Sequence, residues 1–495
     1  MDMVALKIDG NDIQAPADTT ILEAARRNGI EIPTLCYLKG LKKIAACRIC
    51  LCEVVGEKTL QAACTTPVAP GQEVYTHSEK VMESRRTTLE AIMATHRFDC
   101  TECERGGDCE LQVLCRDYGV NGKHYGTLLR KTEEDRSSKY IIRDNSRCVQ
   151  CRRCVAICSG TQLVGAIGVN GRGIKTHIGI DLPLADTDCI NCGMCVAYCP
   201  VGALAEKNDM DNVWRAIATK KHVVAVVSPT VAAQFGEYFG EEIGQDCSGR
   251  LVALLHRLGF NKVFNIDRNT CAVVNVAKQE LHRRKTAGDL PVISSVCPSF
   301  TDYCRKFHPD LICKLSALKD PYTTFAGLCK SVYAAETGID PENIYVVSVG
   351  TCLAEKTVCG AEFGIDTVLT AHEMVAMFKR GCVSTFTAGH VWNQLPEEAY
   401  DVFPGEGSAR MLNDDGGISK AVCGENMKVA CISGIAEAEA LLNEIENGTS
   451  EYDYVEILAC PGGCMNGGGQ IHQSGNIHNF GDLVSKRIGA LHPEN

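Results

Sequence analysis

The chain has 495 residues, of which 45% are apolar, with thirty cysteines and a net charge of −11. Such a length and apolar content suffice for several globular domains, and no apolar run is long enough to span a bilayer. The acidic balance, without a lysine or arginine patch, excludes a surface that tracks nucleic-acid phosphates.

The first residues, Met1-Asp2-Met3-Val4-Ala5-Leu6-Lys7, have neither the basic flank nor the apolar core of a signal peptide, so a cytoplasmic location is expected. A reducing compartment disfavours a disulfide framework and makes metal binding the better default for so many thiols. Residues 1–80 begin with alternating apolar positions (Val4, Leu6, Ile8), a turn at Gly10-Asn11 and a second extended run. Thr20 and Glu23 form a capping box ahead of Ile21, Leu22, Ala24 and Ala25, and Asn28-Gly29 closes that helix. Cys36, Cys47, Cys50 and Cys64 follow. Two strands, a helix and a cysteine-bearing loop predict a β-grasp, plant-type 2Fe-2S ferredoxin domain, with a ligand spacing unlike that of the soluble plant proteins.

From Ser78 to about Thr132 the pattern is helical, with Leu89, Ile92 and Met93 at helix spacing. Within it, His96-x3-Cys100-x2-Cys103-x5-Cys109 places an imidazole before three thiols. A neutral imidazole can replace one thiolate on iron and makes the cluster less negative, so residues 81–140 are expected to hold a His/Cys-ligated 4Fe-4S cluster. Residues 141–206 carry the most specific pattern: Cys148-x2-Cys151-x2-Cys154-x3-Cys158 and Cys189-x2-Cys192-x2-Cys195-x3-Cys199-Pro200. In a two-cluster ferredoxin the fourth cysteine of each run ligates the other cluster. The expected sets are therefore Cys148, Cys151, Cys154 with Cys199, and Cys189, Cys192, Cys195 with Cys158. Disulfides or zinc do not call for eight cysteines in a duplicated, crossed spacing.

A helical connector, Asp211 to Lys220, leads into residues 207–495, where strands alternate with amphipathic helices. His222 to Ser228, Val263 to Ile266, Leu290 to Val296, Ile344 to Val349, Met427 to Ile432 and Tyr454 to Leu458 read as strands of a mostly parallel sheet. The whole is an α/β multidomain chain. In such sheets ligands gather beyond the carboxyl ends of strands. Cys297, Cys352 and Cys460 each follow a strand, and Cys464 lies in the glycine-rich loop after the last. Four thiolates from three strand ends would fit a further 4Fe-4S cluster; four packing cysteines are the alternative. The other eleven cysteines (Cys52, Cys115, Cys247, Cys271, Cys304, Cys313, Cys329, Cys359, Cys382, Cys423, Cys431) are expected to be buried packing residues.

The N-terminal motifs, in this order, resemble the large iron-sulfur subunit of respiratory complex I and, equally, the multi-cluster FeFe-hydrogenases. Ser294-Ser-Val-Cys-Pro-Ser-Phe300, Gly350-Thr-Cys-Leu-Ala-Glu-Lys356 and Glu456-Ile-Leu-Ala-Cys-Pro-Gly-Gly-Cys-Met-Asn-Gly-Gly-Gly-Gln470 look like the three signatures of the FeFe-hydrogenase catalytic domain. The resemblance implies that Cys297, Cys352, Cys460 and Cys464 hold that domain's cubane. It also implies departures on the diiron side. Val296 stands where the family has a proton-relaying cysteine, Glu355 where a lysine binds a cyanide ligand, and Val358 where the second motif ends in glutamate. Gly350 and Leu458 stand where the family has methionines. An anionic Glu355 beside the anionic diiron unit would cost roughly several kcal/mol.

The expected cofactors are thus one 2Fe-2S and four 4Fe-4S clusters, with the diiron subsite absent and no catalytic acid or base. No nucleotide-binding glycine motif follows a strand, so flavin and nicotinamide chemistry falls to partners. The resemblance implies a flavoprotein oxidising NADH or NADPH, a thioredoxin-like 2Fe-2S subunit, and ferredoxin or a second catalytic subunit such as a formate dehydrogenase, in a complex that bifurcates electrons or does not. The alternatives are a catalytically unusual or sensory FeFe-hydrogenase, and an assembly protein for cytosolic iron-sulfur clusters.

Overall fold

The computed structural model describes residues 2–41, 43–122, 124–126, 128, 134–318, 320–381, 385–403, 427–473 and 482–491. Its N-terminal strands Met3–Ile8 and Asn11–Pro16 form an antiparallel hairpin. The turn falls on Asp9-Gly10, both at positive φ, one residue earlier than expected. Met3–Ile8 also pairs in parallel with Glu73–Tyr75 at the centre of a five-stranded sheet, the β-grasp arrangement. Across it packs helix Ile21–Arg27, whose capping box is complete: the Glu23 amide donates to Thr20 Oγ1, and the Thr20 amide donates to Glu23 Oε2. Burial of Ile21, Leu22, Ala24 and Ala25 against Leu6, Ile8 and Val74 closes this core.

Helix Glu79–Ala94 starts after Ser78 and buries Val81 and Leu89. It also buries Arg85, whose guanidinium donates to the Ile49 and Leu51 carbonyls and so ties the helix to the cysteine-bearing loop. The expected helical stretch near Thr132 includes residues 129–133, which lie outside the described residues. The two halves of the paired cysteine motif fold as short turns and helices joined by a strand pair, Ile141–Arg143 with Leu204–Glu206.

The C-terminal part is α/β, but the expected single sheet is two. Strands Lys262–Asn265, His222–Val227, Ile344–Gly350 and Thr367–Thr370 form one sheet in that order; Val292–Ile293, Tyr454–Leu458 and Val429–Ser433 form the other. Every pairing in both sheets is parallel. The strand expected over Leu290 to Val296 shrinks to two residues because the chain then turns outward into the loop bearing Cys297. Among the described residues no helix is long and apolar enough to cross a membrane.

A buried ionic knot ties the connector after the paired cysteine motif to the C-terminal part. Lys356, 4% exposed, donates to the Lys207 carbonyl, to Asp209 Oδ2 and to Glu373 Oε1, each within 2.8 Å. Nearby, Glu206 accepts from Thr370 and lies 2.8 Å from His372 Nδ1. Burial opposes the Lys356 charge, but Glu373, Glu206 and Asp209 hold its pKa above the ordinary lysine value. Lys356→Met would leave those carboxylates without their cation. It is expected to destabilise the chain by about 3–5 kcal/mol, read as a lower unfolding midpoint; an unchanged midpoint would show that the knot does not hold the connector in place.

Candidate metal centres

The cysteines gather as the spacing anticipates. Cys36, Cys47, Cys50 and Cys64 are buried and act electrostatically on one another. The hydrogen bond from Cys47 holds the Cys36 thiol down to about 6, against its burial. Cys154 is flanked by Cys151, Cys148 and Cys199, and these four line one small apolar cavity. Cys195 is flanked by Cys192, Cys189 and Cys158. Cys199 of the second run thus lies near the first three cysteines, and Cys158 of the first run near the second three.

His96 is 8% exposed, and its Nδ1 has no hydrogen-bond partner. Burial pushes its pKa down to about 4, a hydrogen bond with the Arg147 backbone opposing, so the ring is neutral. A neutral imidazole with an orphaned nitrogen suits an iron ligand. Cys109 caps helix Glu110–Asp117, where burial raises its thiol to about 11 while the Gln112 and Leu111 amides oppose. Cys103 acts on Cys109, and Cys100 is exposed.

In the C-terminal part Cys352 is surrounded by Cys297, Cys460 and Cys464. Cys297 stands at the N-terminal end of helix Pro298–Phe307, and the Ala459 amide donates to its sulfur at 3.5 Å. Cys352 likewise precedes the turn Leu353–Val358. Amides at a helix start favour a thiolate there. The loop bearing Cys464 is clamped by a residue the motifs gave no hint of. Arg487, fully buried in helix Leu483–Leu491, pairs with Glu237 through two bonds of 2.7 and 2.8 Å and donates to the Met465 carbonyl and Gln470 Oε1.

These groups adjoin one another. Gly193 and Gly468 touch: a side chain on Gly468 would fall onto the Cys192 carbonyl, and one on Gly193 would strike Leu353 Cβ at 2.7 Å. Cys192 consequently lies beside Cys297 and Cys460. Tyr198 with Asn466, Gln162 with the Ala459 carbonyl and Lys306 with the Cys189 carbonyl bond the two halves across this contact. On the other side, Cys103 packs against Gly202, and the Cys109 sulfur is 3.7 Å from the Pro200 carbonyl, next to Cys199.

The residues present fit iron-sulfur clusters. Among the described residues no three His, Cys, Asp or Glu side chains converge closely enough to grip one ion. A zinc ion would draw four sulfurs to about 2.3 Å from a single point. Of the remaining cysteines, Cys52, Cys115, Cys247, Cys304 and Cys329 are buried and Cys359 is half-buried. Cys313 and Cys431 are exposed, contrary to expectation: each sits on the solvent side of its element, a turn and a strand of alternating burial. Cys382, Cys423 and the Cys271 side chain lie outside the described residues.

Beside Cys297, Cys352 and Cys464 is a cavity of about 70 Å³, walled by Val296, Leu458, Glu355, Tyr322, Asp267 and Thr351 among others. Glu355 corrects one expectation. Its side chain is 6% exposed and Oε2 has no partner. Burial first, then Asp320, raises its pKa well above the ordinary value, which favours the neutral acid over the repelling anion inferred from the motif. It is accommodated by Gly350, where an added Cβ would come within 2.5 Å of Glu355 Oε2. Asp267 is also raised by burial, to about 7. Lys356 points away into the knot described above and does not serve the cavity.

Comparison with known proteins agrees with this geometry. Residues 221–427 and 420–468 match the model of the iron only hydrogenase large subunit, C-terminal domain. Residues 1–79 match a 2Fe-2S iron-sulfur cluster binding domain, 85–124 the NADH-ubiquinone oxidoreductase-G iron-sulfur binding region, and 147–203 a 4Fe-4S dicluster domain. Both 2Fe-2S and 4Fe-4S cluster-binding domains are present. The chain is 34% identical to the NADP-reducing hydrogenase subunit HndD of Solidesulfovibrio fructosivorans, over 100% of this chain and 92% of that one. It is 31% identical to iron hydrogenase 1 of Clostridium pasteurianum, over 99% and 92%. Its N-terminal part is 41% identical to the NADPH-Fe(3+) oxidoreductase subunit alpha of Geobacter sulfurreducens, over 41% of this chain and 24% of the relative.

The neutral state of Glu355 has a measurable sign. Above the usual carboxyl value of 4.5 the unfolded chain has released a proton that the folded chain still holds. Stability therefore falls as pH rises, by about 1.4 kcal/mol per unit until the folded-state value is reached. Glu355→Gln keeps the shape and removes this dependence. Denaturant melts should show the variant level with the wild type near pH 5 and increasingly more stable toward pH 8; parallel curves would mean that Glu355 is ionised.

Proposed function

Because the chain belongs to the iron-only hydrogenase large-subunit family, we propose that it is the electron-transfer iron-sulfur subunit of an NAD(P)H-linked oxidoreductase complex, with its hydrogenase-like domain at one end of the wire. Its proposed domains are residues 1–80, 81–140, 141–206 and 207–495. Cys36, Cys47, Cys50 and Cys64 would hold a 2Fe-2S cluster. Four 4Fe-4S clusters would be held by His96, Cys100, Cys103 and Cys109; by Cys148, Cys151, Cys154 and Cys199; by Cys158, Cys189, Cys192 and Cys195; and by Cys297, Cys352, Cys460 and Cys464. Bound there, such clusters supply one-electron transfer. The protein's own part is to fix their spacing and exclude water, and the observation that carries the reading is the Gly193–Gly468 contact that sets Cys192 beside Cys297 and Cys460.

On this reading the diiron subsite is not held. Val296 has no exchangeable proton to offer the cavity, Val358 and Leu458 are apolar, Gly350 has no side chain, and Lys356 is engaged with Asp209 and Glu373. The reading also includes a cytoplasmic location and partners carrying flavin and nicotinamide: an NAD(P)H-oxidising flavoprotein and a thioredoxin-like 2Fe-2S protein, with ferredoxin or another catalytic subunit as the further electron partner.

A second reading, a hydrogenase of unusual pocket, is favoured by two observations. A cavity of about 70 Å³ adjoins Cys464, and the raised pKa of Glu355 favours a neutral acid that would not repel an anion. The chain purified with its partners, after expression alongside diiron-site maturation enzymes, separates the two. The expected result is iron and sulfide matching one 2Fe-2S and four 4Fe-4S clusters, no infrared bands of iron-bound carbonyl or cyanide, and no hydrogen evolution from reduced dye. Such bands together with hydrogen evolution would establish the second reading instead.

A further inference from the structure

Arg153 sits between the two cysteines that close the first CxxCxxC run. It is 1% exposed, and its guanidinium grips Glu110 through parallel bonds of 2.7 and 3.0 Å. Glu110 directly follows Cys109. The backbone amide of Arg153 faces the Cys151 sulfur, and its side-chain charge acts on both Cys151 and Cys36. Leu35, Cys36, Cys47, Cys151 and Cys154 pack in one apolar core with Leu111 from the Glu110 helix, an interior of low dielectric that strengthens these interactions. One buried ion pair thus stands where three cysteine groups meet: Cys36 of the first, Cys109 of the second and Cys151 of the third.

We propose that Arg153, held by Glu110, is a positioning residue that sets the reduction potentials of the centres at Cys36 and Cys151 and so keeps electrons moving between them. The proposal rests on the ligand assignment above. An arginine remains charged at any working pH. When either centre takes up one electron and no proton, its net charge becomes one unit more negative, and a fixed cation in a low-dielectric core stabilises that reduced form. Glu110 offsets part of this effect while orienting the guanidinium toward the sulfurs.

The test is an EPR-monitored titration of the holoprotein with dithionite, following the 2Fe-2S and cubane signals separately. Wild-type protein lacking those signals would refute the ligand assignment itself. With the signals present, Arg153→Met is expected to disfavour reduction of both centres at least tenfold, a downward shift of about 59 mV for one electron. Arg153→Lys should restore most of the shift. Glu110→Gln, which preserves shape and removes the counter-charge, should move both midpoints upward. A purely structural pair would shift the Met and Gln variants in the same direction or leave both potentials in place, and either outcome would overturn the proposal. If Arg153→Met does not fold, the sign of the Glu110→Gln shift decides alone.

Discussion

Thiolates in an apolar interior need a positive partner, and the architecture follows from that requirement. Burial raises the thiols of Cys154, Cys195, Cys352 and Cys460 well above their ordinary values, each group pushed further by the sulfurs around it. Four sulfurs drawn together out of water can all ionise only around cationic iron. On the proposed cluster assignment metal binding would be coupled to folding, with the Ala459 amide at Cys297 and the Leu111 and Gln112 amides at Cys109 facing the remaining negative charge.

The same requirement explains why the packing between segments is so close. Electron transfer needs neighbouring centres, yet each centre needs its own dry shell. The chain meets both demands with bare backbone at the crossing, Gly193 on Gly468, and with buried ionic ties to either side: Lys356 with Asp209 and Glu373, Arg153 with Glu110, Arg487 with Glu237. Such ties add little net stability relative to apolar packing, but breaking one is costly, which favours a single relative placement of the parts they join.

What could be read from the sequence was local. The cysteine runs, the Thr20–Glu23 capping box and the apolar run at His222–Val227 each carry their information within a few residues; the fold contains the capping box and the strand, and it gathers the cysteines of the two runs close together. Long-range consequences were hidden. Thr367–Thr370 is a fully buried strand of only four residues with a threonine at each end, too short for a periodicity signal. The division into two sheets depends on tertiary pairing. Arg153, Arg487 and Glu110 look like ordinary surface charges until their partners, distant in sequence, are brought up to them.

The cavity wall illustrates the difference best. Taken one position at a time, Glu355 in place of a lysine is a charge reversal and Gly350 in place of a methionine is a lost side chain. In the folded chain they are one change. A Cβ at position 350 would press on the Glu355 carboxyl, and a Glu355 without that space would lose the packed position in which it stays neutral. A side chain at position 350 would require the Glu355 carboxyl to shift, so the two positions are coupled in the packing of this wall. Beside this wall Cys297, Cys352, Cys460 and Cys464 lie together. The coupling of Gly350 with Glu355 is a property of the pair, and neither position reveals it alone.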